Sequence, residues 1–274
     1  MLVNGIPGNS ISIRDRGLLY GDGVFRTLRV AQGKALHWSL HYLKLQRDCA
    51  ALGITCPDEV LLCAELDKVL AQHPDGVVKL IVTRGESGRG YTPSAAAEPT
   101  RIWDFSPLPD YPAECAMQGV KARVCSLRLS AQPRMACVKH LNRLENVLAA
   151  AELSDAQLHG EPAAEGLLLD ADGHLIEGTR SNLFLVSQGR LVTPDLSRCG
   201  VAGIQRGRVM AWALQHGVTL HVRDVGLEEA LQADELFIVN SVIGLWPICE
   251  LEQRHWSHFP VAVQIRLGLE RQDA

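Results

Sequence analysis

Lysine is scarce in this chain of 274 residues. Of 27 basic residues, the lysines are Lys34, Lys44, Lys68, Lys79, Lys121 and Lys139, and the rest are arginines. Any amine chemistry therefore rests on few candidates. Aromatic residues make up only 5%, which argues against a base-stacking platform. There is no basic excess: 31 acidic residues give a net charge of −4, which disfavours nucleic acid and anionic membranes as partners. No apolar run reaches about 18 residues, so no membrane-spanning helix is expected. The opening MLVNGIPGNSISIRDRG has no basic stretch followed by an apolar one, so no secretory signal is expected. The eight cysteines form no CxxC pair and sit mostly in apolar stretches, which suits reduced thiols in a cytoplasmic protein. No GxSxG is present, so a serine-hydrolase elbow is not supported.

What is present is a chain that is 47% hydrophobic, enough for a sizeable core and too much for global disorder. Its length suits one large or two modest domains at ~150 residues each. Residues 11–30 read as strand, turn and strand around Gly21-Asp22-Gly23. Leu36, Leu40, Leu43 and Leu52 recur at helical spacing, with Gly53 as the stop. A second helix runs from near Pro57 to Leu70, and strands cover Val77–Thr83 and Arg101–Phe105. Three prolines in Ser106–Pro112 make a stiff, extended linker. Beyond it come a helix starting just after Lys139, a hairpin around Asp170-Ala171-Asp172-Gly173, a strand from Asn182, and a helix over Ile204–His216. The pattern predicts an α+β protein of two domains: residues 1–105, a linker at 106–112, and a larger C-terminal domain at 113–274 that carries Lys139.

Four stretches bear on chemistry. Gly85-Glu86-Ser87-Gly88-Arg89-Gly90-Tyr91 lacks the GK[ST] of a P-loop and the spacing of a dinucleotide fingerprint. It reads either as a surface loop or as a substrate loop, with Arg89 gripping a carboxylate and Tyr91 adding a hydroxyl. Lys139 follows Ala136-Cys137-Val138, an apolar approach that tends to desolvate an amine and favour its nucleophilic form. A lysine snorkelling from a helix end is the plainer reading, and Lys79 sits in an equally apolar strand. Glu177 suits a carboxylate that keeps a pyridinium nitrogen protonated, or simply a strand-end acid. Gly200-Val201-Ala202-Gly203-Ile204-Gln205 leads into a helix whose backbone N–H groups and positive end suit a phosphate, though glycine before a helix is also common for structural reasons alone. No metal set stands out: His37 and His41 lack a third ligand, and Asp170 and Asp172 read as a turn.

Taken in order, these pieces resemble the fold-type IV pyridoxal-phosphate enzymes. That family comprises branched-chain and D-amino-acid aminotransferases and 4-amino-4-deoxychorismate lyases. The resemblance rests on Asn4-Gly5, Asp15-Arg16-Gly17 through Gly21-Asp22-Gly23-Val24-Phe25, Thr83-Arg84-Gly85 with Gly88-Arg89-Gly90-Tyr91, and Lys139-His140-Leu141-Asn142-Arg143-Leu144-Glu145. It continues through Glu177, Ser181-Asn182-Leu183-Phe184 and Gly200-Val201-Ala202-Gly203-Ile204. The run at Lys139 and the arginine-bearing loop lie nearest the lyase branch.

The resemblance implies pyridoxal 5'-phosphate as cofactor, joined to Lys139 as a Schiff base, with Glu177 on its pyridine nitrogen. The phosphate is expected on the N–H groups of Ile204 and Gln205 and the Ser241 hydroxyl. The family's phosphate-gripping arginine is replaced by Lys44 in His41-Tyr42-Leu43-Lys44-Leu45, which leaves Lys44 as a point charge or Arg47 one turn along. Thr27 matches a position that protonates the departing pyruvate enol, and Arg89 and Asn240 match positions that hold substrate carboxylates. The implied reaction converts 4-amino-4-deoxychorismate to 4-aminobenzoate and pyruvate. The alternatives are transamination of D- or branched-chain amino acids, and cofactor binding without turnover. The implied partners are a small-molecule substrate and a second copy in a homodimer, without nucleic acid or membrane.

Overall fold

The computed structural model describes residues 1–94 and 97–273. By its internal packing the chain forms two units, Met1–Pro109 with Val138–Asn142, and Asp110–Cys137 with Arg143–Ala274. The first boundary falls inside the proline-rich stretch expected to be a linker. Lys139, however, falls within the first unit, as part of Val138–Asn142.

In the first unit the strands are β1 (Leu2–Val3), β2 (Ile6–Pro7), β3 (Gly23–Ala31), β4 (Lys34–Ala35), β5 (Gly76–Thr83) and β6 (Arg101–Ser106), and the helices are α1 (Arg16–Tyr20), α2 (Trp38–Leu52) and α3 (Glu59–Leu70). The six strands form one sheet in the order β2-β1-β6-β5-β3-β4. β3 alternates as a half-buried strand should: Val24, Arg26, Leu28 and Val30 are buried, and Phe25, Thr27 and Arg29 lie on the other face. The buried face meets Leu45 and Cys49 of α2, along with Leu62, Leu66, Leu80 and Trp103. α2 ends at Gly53, whose φ of 64° lies in the left-handed region that glycine enters without a Cβ clash.

Two local expectations fail here for identifiable reasons. Residues 16–20 form a helix where a strand was expected. Asp15 caps it by accepting the Gly17 N–H at 2.7 Å, and Gly21 terminates it at φ 64°. Nor does a helix begin just after Lys139. Residues 138–141 instead run alongside β3: the Phe25 N–H donates to the Lys139 carbonyl at 3.0 Å, and the Leu141 N–H to the Gly23 carbonyl at 2.9 Å. Strand pairing overrides the helical tendency of this run, and the helix starts only at Leu144.

The second unit holds a nine-stranded mixed sheet. Its strands are β7 (Val120–Leu129), β8 (Glu165–Asp170), β9 (Leu175–Gly178), β10 (Asn182–Ser187), β11 (Arg190–Pro194), β12 (Leu220–Arg223), β13 (Glu235–Asn240), β14 (Gly244–Leu251) and β15 (Arg254–His255). They run in the order β12-β11-β10-β13-β14-β7-β8-β9, with β15 on β14. The helices are α4 (Glu114–Met117), α5 (Leu144–Leu158), α6 (Ile204–Gln215), α7 (Leu227–Gln232) and α8 (Pro260–Asp273). β10 and β13, buried almost throughout, form the centre, where Phe184 stacks on Phe237 at 5.1 Å. α6 and α8 cover the sheet through Val209, Trp212, Ile265 and Leu269. The sheet is antiparallel except for the parallel pairs β11–β12, β14–β7 and β7–β8, as an α+β arrangement permits. No helix among the described residues is long and apolar enough to cross a membrane.

Candidate active site

The first unit gathers positive charge around one carboxylate. Arg26 lies on the core face of β3 and Asp48 on the buried face of α2, so the two are brought together inside. Asp48 Oδ2 accepts from Arg26 Nη2, and Oδ1 accepts from Lys44 Nζ one turn earlier on α2. Asp48 Oδ2 also accepts the backbone N–H of Lys139 at 3.2 Å. Burial pulls Arg26 below the ordinary guanidinium range, and Asp48 opposes that pull. His41, beside this cluster, is pushed down to about 3 by burial and by Arg26, His37 and Lys139, so its imidazole is neutral at pH 7. Asp48 and Arg26 were not found from sequence. Their signal is faint: an acid four residues after Lys44, and a charged residue at an inward strand position.

On the other face of β3, Lys139 Nζ stands 4.3 Å from the Phe25 ring centroid, and Lys79 Nζ 5.0 Å from the same ring. Lys79 is the cross-strand neighbour of Thr27. The two lysines that compete on sequence grounds thus share one aromatic ring, beside Thr27. Lys44 and Arg47 also part company. Lys44 is half-buried in the Asp48 cluster, whereas Arg47 points from α2 into solvent.

Arg89 and Tyr91 are exposed on the loop between β5 and β6, Tyr91 at 85%. Their backbone is nonetheless held, because Arg16 donates to the loop at three points. Asp22 accepts from both Arg16 and Arg84 at 2.8 Å. Burial raises Asp22, but the bonds from Arg84 and Arg16 outweigh it and hold the carboxyl below its usual range.

In the second unit Glu177 is 3% exposed on β9, and its Oε2 accepts the Val201 N–H at 2.8 Å. The same 200–203 segment is tied to β10 by Asn182, which donates to the Val201 carbonyl at 2.7 Å and accepts the Gly203 N–H at 3.0 Å. A Cβ on Gly203 would come within 2.5 Å of Asn182 Oδ1, so the approach requires glycine. Gly203 also caps α6 without a side-chain hydrogen bond, at the helix start where Gln205 is buried and Ile204 half-buried. Glu165 fixes the turn between Glu177 and Asn182 by accepting from Thr179 N at 3.0 Å, Ser181 Oγ at 2.7 Å and Thr179 Oγ1. Glu165 was missed from sequence, and Asn182 stood there only within the Ser181–Phe184 run, with no role given to it.

Asn240 ends β13 and its amide is largely engaged. Oδ1 accepts the Val242 and Ile243 N–H groups at 2.8 and 2.9 Å, and Nδ2 donates to the Arg180 carbonyl at 3.1 Å. This shapes the turn that carries Ser241, and one Nδ2 hydrogen remains to donate. Asp170 behaves as a turn residue: it accepts the Asp172 and His174 N–H groups and faces Arg198 at 3.5 Å.

Comparison with known proteins gives the family of the chain. The model of the family described as amino-transferase class IV matches residues 23–251. The chain belongs to that family. It is 36% identical over 248 residues to an aminodeoxychorismate lyase of Vibrio harveyi, covering 90% of this chain and 89% of that protein. Among solved structures, a 4-amino-4-deoxychorismate lyase from Pseudomonas aeruginosa superposes with a TM-score of 0.93 at 46% identity, over 98% of both chains. The branched-chain amino acid aminotransferase of Escherichia coli shares the fold, with a TM-score of 0.82 at 21% identity, over 99% of this chain and 93% of that one. The fold expectation is therefore borne out: an α+β chain of the branched-chain aminotransferase type.

Proposed function

We propose that this protein is a pyridoxal-phosphate-dependent lyase that converts 4-amino-4-deoxychorismate to 4-aminobenzoate and pyruvate, a step that feeds folate biosynthesis. The observation that carries the reading is the 46% identity, end to end, with a solved lyase of that name. The residues present fit the cofactor. Lys139 is a backbone-anchored lysine, Glu177 a buried carboxylate held by a peptide N–H, and α6 begins without a side-chain cap. Lys139 Nζ would join the cofactor covalently and Glu177 would pair with its ring nitrogen. Lys44, the N–H groups of Ile204 and Gln205, and the Ser241 hydroxyl would hold its phosphate. Lys44 is preferred to Arg47 because it is the half-buried member of the pair. When bound, pyridoxal phosphate supplies an electron-accepting ring.

The protein's own work is then positioning and proton transfer. Lys139 Nζ takes the proton from ring C4 of the substrate, and the Thr27 hydroxyl protonates the departing pyruvate enol. Arg89, Tyr91 and the remaining Asn240 hydrogen hold the substrate's carboxylates in register. Lys79, next to Thr27 and Phe25, adds positive charge on that side. Loss of C4–H and of pyruvate leaves an aromatic ring, which drives the elimination.

The working form in this reading is a cytoplasmic homodimer. Leu144, Val147 and Leu148 at the start of α5 make an exposed apolar stripe at helical spacing, which supports a partner surface. Light scattering of the purified protein tests that state. The central test incubates the protein, loaded with pyridoxal phosphate, with 4-amino-4-deoxychorismate. Release of 4-aminobenzoate and pyruvate in equal amounts is expected. Transamination of D-alanine or leucine with no 4-aminobenzoate sinks the lyase reading in favour of the aminotransferase. Lys139→Ala should abolish the absorbance of covalently held cofactor, and Lys79→Ala should keep it.

A further inference from the structure

Arg16 makes four side-chain hydrogen bonds, and nothing in the reaction above uses it. Its side chain is 4% exposed, yet it lies beside an exposed loop. Nε donates to Asp22 Oδ2 at 2.8 Å. Nη1 donates to Ser87 Oγ at 3.0 Å and to the Gly90 carbonyl at 3.2 Å, and Nη2 donates to the Tyr91 carbonyl at 2.7 Å. Its backbone joins in, the Arg16 N–H donating to the Gly85 carbonyl at 2.9 Å. The guanidinium lies 4.9 Å from the Tyr20 ring centroid, and Tyr20 lies 5.3 Å from the ring of Tyr91.

The chemistry of these bonds has a direction. Arg16 takes up the loop's carbonyls at residues 90 and 91, while the side chains of Arg89 and Tyr91 stay exposed. An unheld glycine-rich stretch would sample many backbone states, and Arg89 would lose that freedom only on binding an anion. Asp22 holds the other end of Arg16, and Arg84 holds Asp22 in turn at 2.8 and 3.0 Å. A lysine here would keep the charge but lose the planar fork that reaches separate acceptors.

We propose that Arg16 is a positioning residue for substrate recognition: it sets the backbone of residues 87–91 so that Arg89 is presented, ordered in advance, to a carboxylate of the anionic substrate. The proposal rests on the lyase reading in taking this loop as the substrate loop. It assigns Arg16 an effect on substrate binding and none on proton transfer or on the cofactor.

The test uses the holoenzyme as purified, with Arg16→Lys, Arg16→Ala, Arg89→Ala and the Arg16→Lys/Arg89→Ala double variant. With 4-amino-4-deoxychorismate, Arg16→Lys should raise KM about 10-fold and change kcat less than about 3-fold, while the absorbance of the held cofactor is unchanged. In the double variant KM should match that of Arg89→Ala alone, because Arg16 acts through Arg89. Trypsin cleavage of the holoenzyme after Arg89 should be about 10-fold faster in Arg16→Lys than in wild type. An unchanged KM in Arg16→Lys, or a KM effect that adds in full to that of Arg89→Ala, overturns the proposal while leaving the lyase reading intact. Unchanged cleavage at Arg89 overturns the pinning itself. If the wild type releases no 4-aminobenzoate, the lyase reading fails, and the cleavage comparison alone decides whether Arg16 orders the loop. Arg16→Lys is the decisive variant should Arg16→Ala fail to fold.

Discussion

Asp48 on α2 and Glu165 on β8 are both 1% exposed, but their oxygens are satisfied in different ways. Asp48 is met by two cations, Arg26 and Lys44, and by one peptide N–H, that of Lys139. Glu165 is met by uncharged donors: the Thr179 N–H and hydroxyl, the Ser181 hydroxyl and the Gly166 N–H. The first arrangement sets two cations, Arg26 and Lys44, against one acid and so leaves a local surplus of positive charge. It suits a region that must attract anions in a chain of net charge −4. The second carries no such surplus and works by geometry, fixing a turn between two residues of the proposed site. Buried acids in one protein can thus serve charge or shape, and the donors around them tell which.

The contrast can be broken in graded steps. Asp48→Ala removes the counter-charge of a buried arginine and should cost about 3–5 kcal/mol of stability, read by urea unfolding. If it costs less than about 1 kcal/mol, the cation-balancing role is wrong. Glu165→Gln keeps an acceptor of similar shape and should cost less, about 1–3 kcal/mol, as the amide's own N–H groups face existing donors. An equal or larger loss than at Asp48 would reverse the comparison.

His41 sharpens it further. Its pKa is about 3 in the folded chain against 6.5 unfolded, so between those values the unfolded state binds the extra proton. Stability therefore falls as pH falls below about 6.5. His41→Gln should lessen that acid loss by about 1 kcal/mol between pH 6 and 5, and an unchanged slope counts against the buried neutral imidazole. Arg47→Ala should change stability by less than about 0.5 kcal/mol, and pyridoxal-phosphate affinity not at all. A marked loss of affinity would return the phosphate to Arg47.

Much of this was legible in the sequence where local chemistry dominates. Gly53 closes α2, the Asp170–Gly173 turn joins β8 to β9, and Gly203 precedes α6, each for a backbone reason that acts within a few residues. The misreading at residues 16–20 was local, a cap at Asp15 and a stop at Gly21, but the others came from interactions across distance. Lys139-His140-Leu141 has helical character, but its peptide groups pair with β3, more than 100 residues earlier in the chain. Arg26 and Asp48 are 22 positions apart and meet only because β3 and α2 pack face to face. Arg16 and Tyr91, 75 positions apart, give no periodic signal at all. The site residues proposed from resemblance were easier to name than the residues that hold them in place.

The pairing of Lys139 with β3 bears on biosynthesis. Residues 138–142 complete the first unit, although the chain before and after them belongs to the second. Until the ribosome has delivered those residues, Phe25 N–H and the Gly23 carbonyl lack the partners they have in the finished protein. A nascent fragment ending near Pro109 would carry an incomplete sheet margin, the kind of surface that recruits other chains. The residue proposed for catalysis therefore belongs to the last stretch of the first unit to be synthesised.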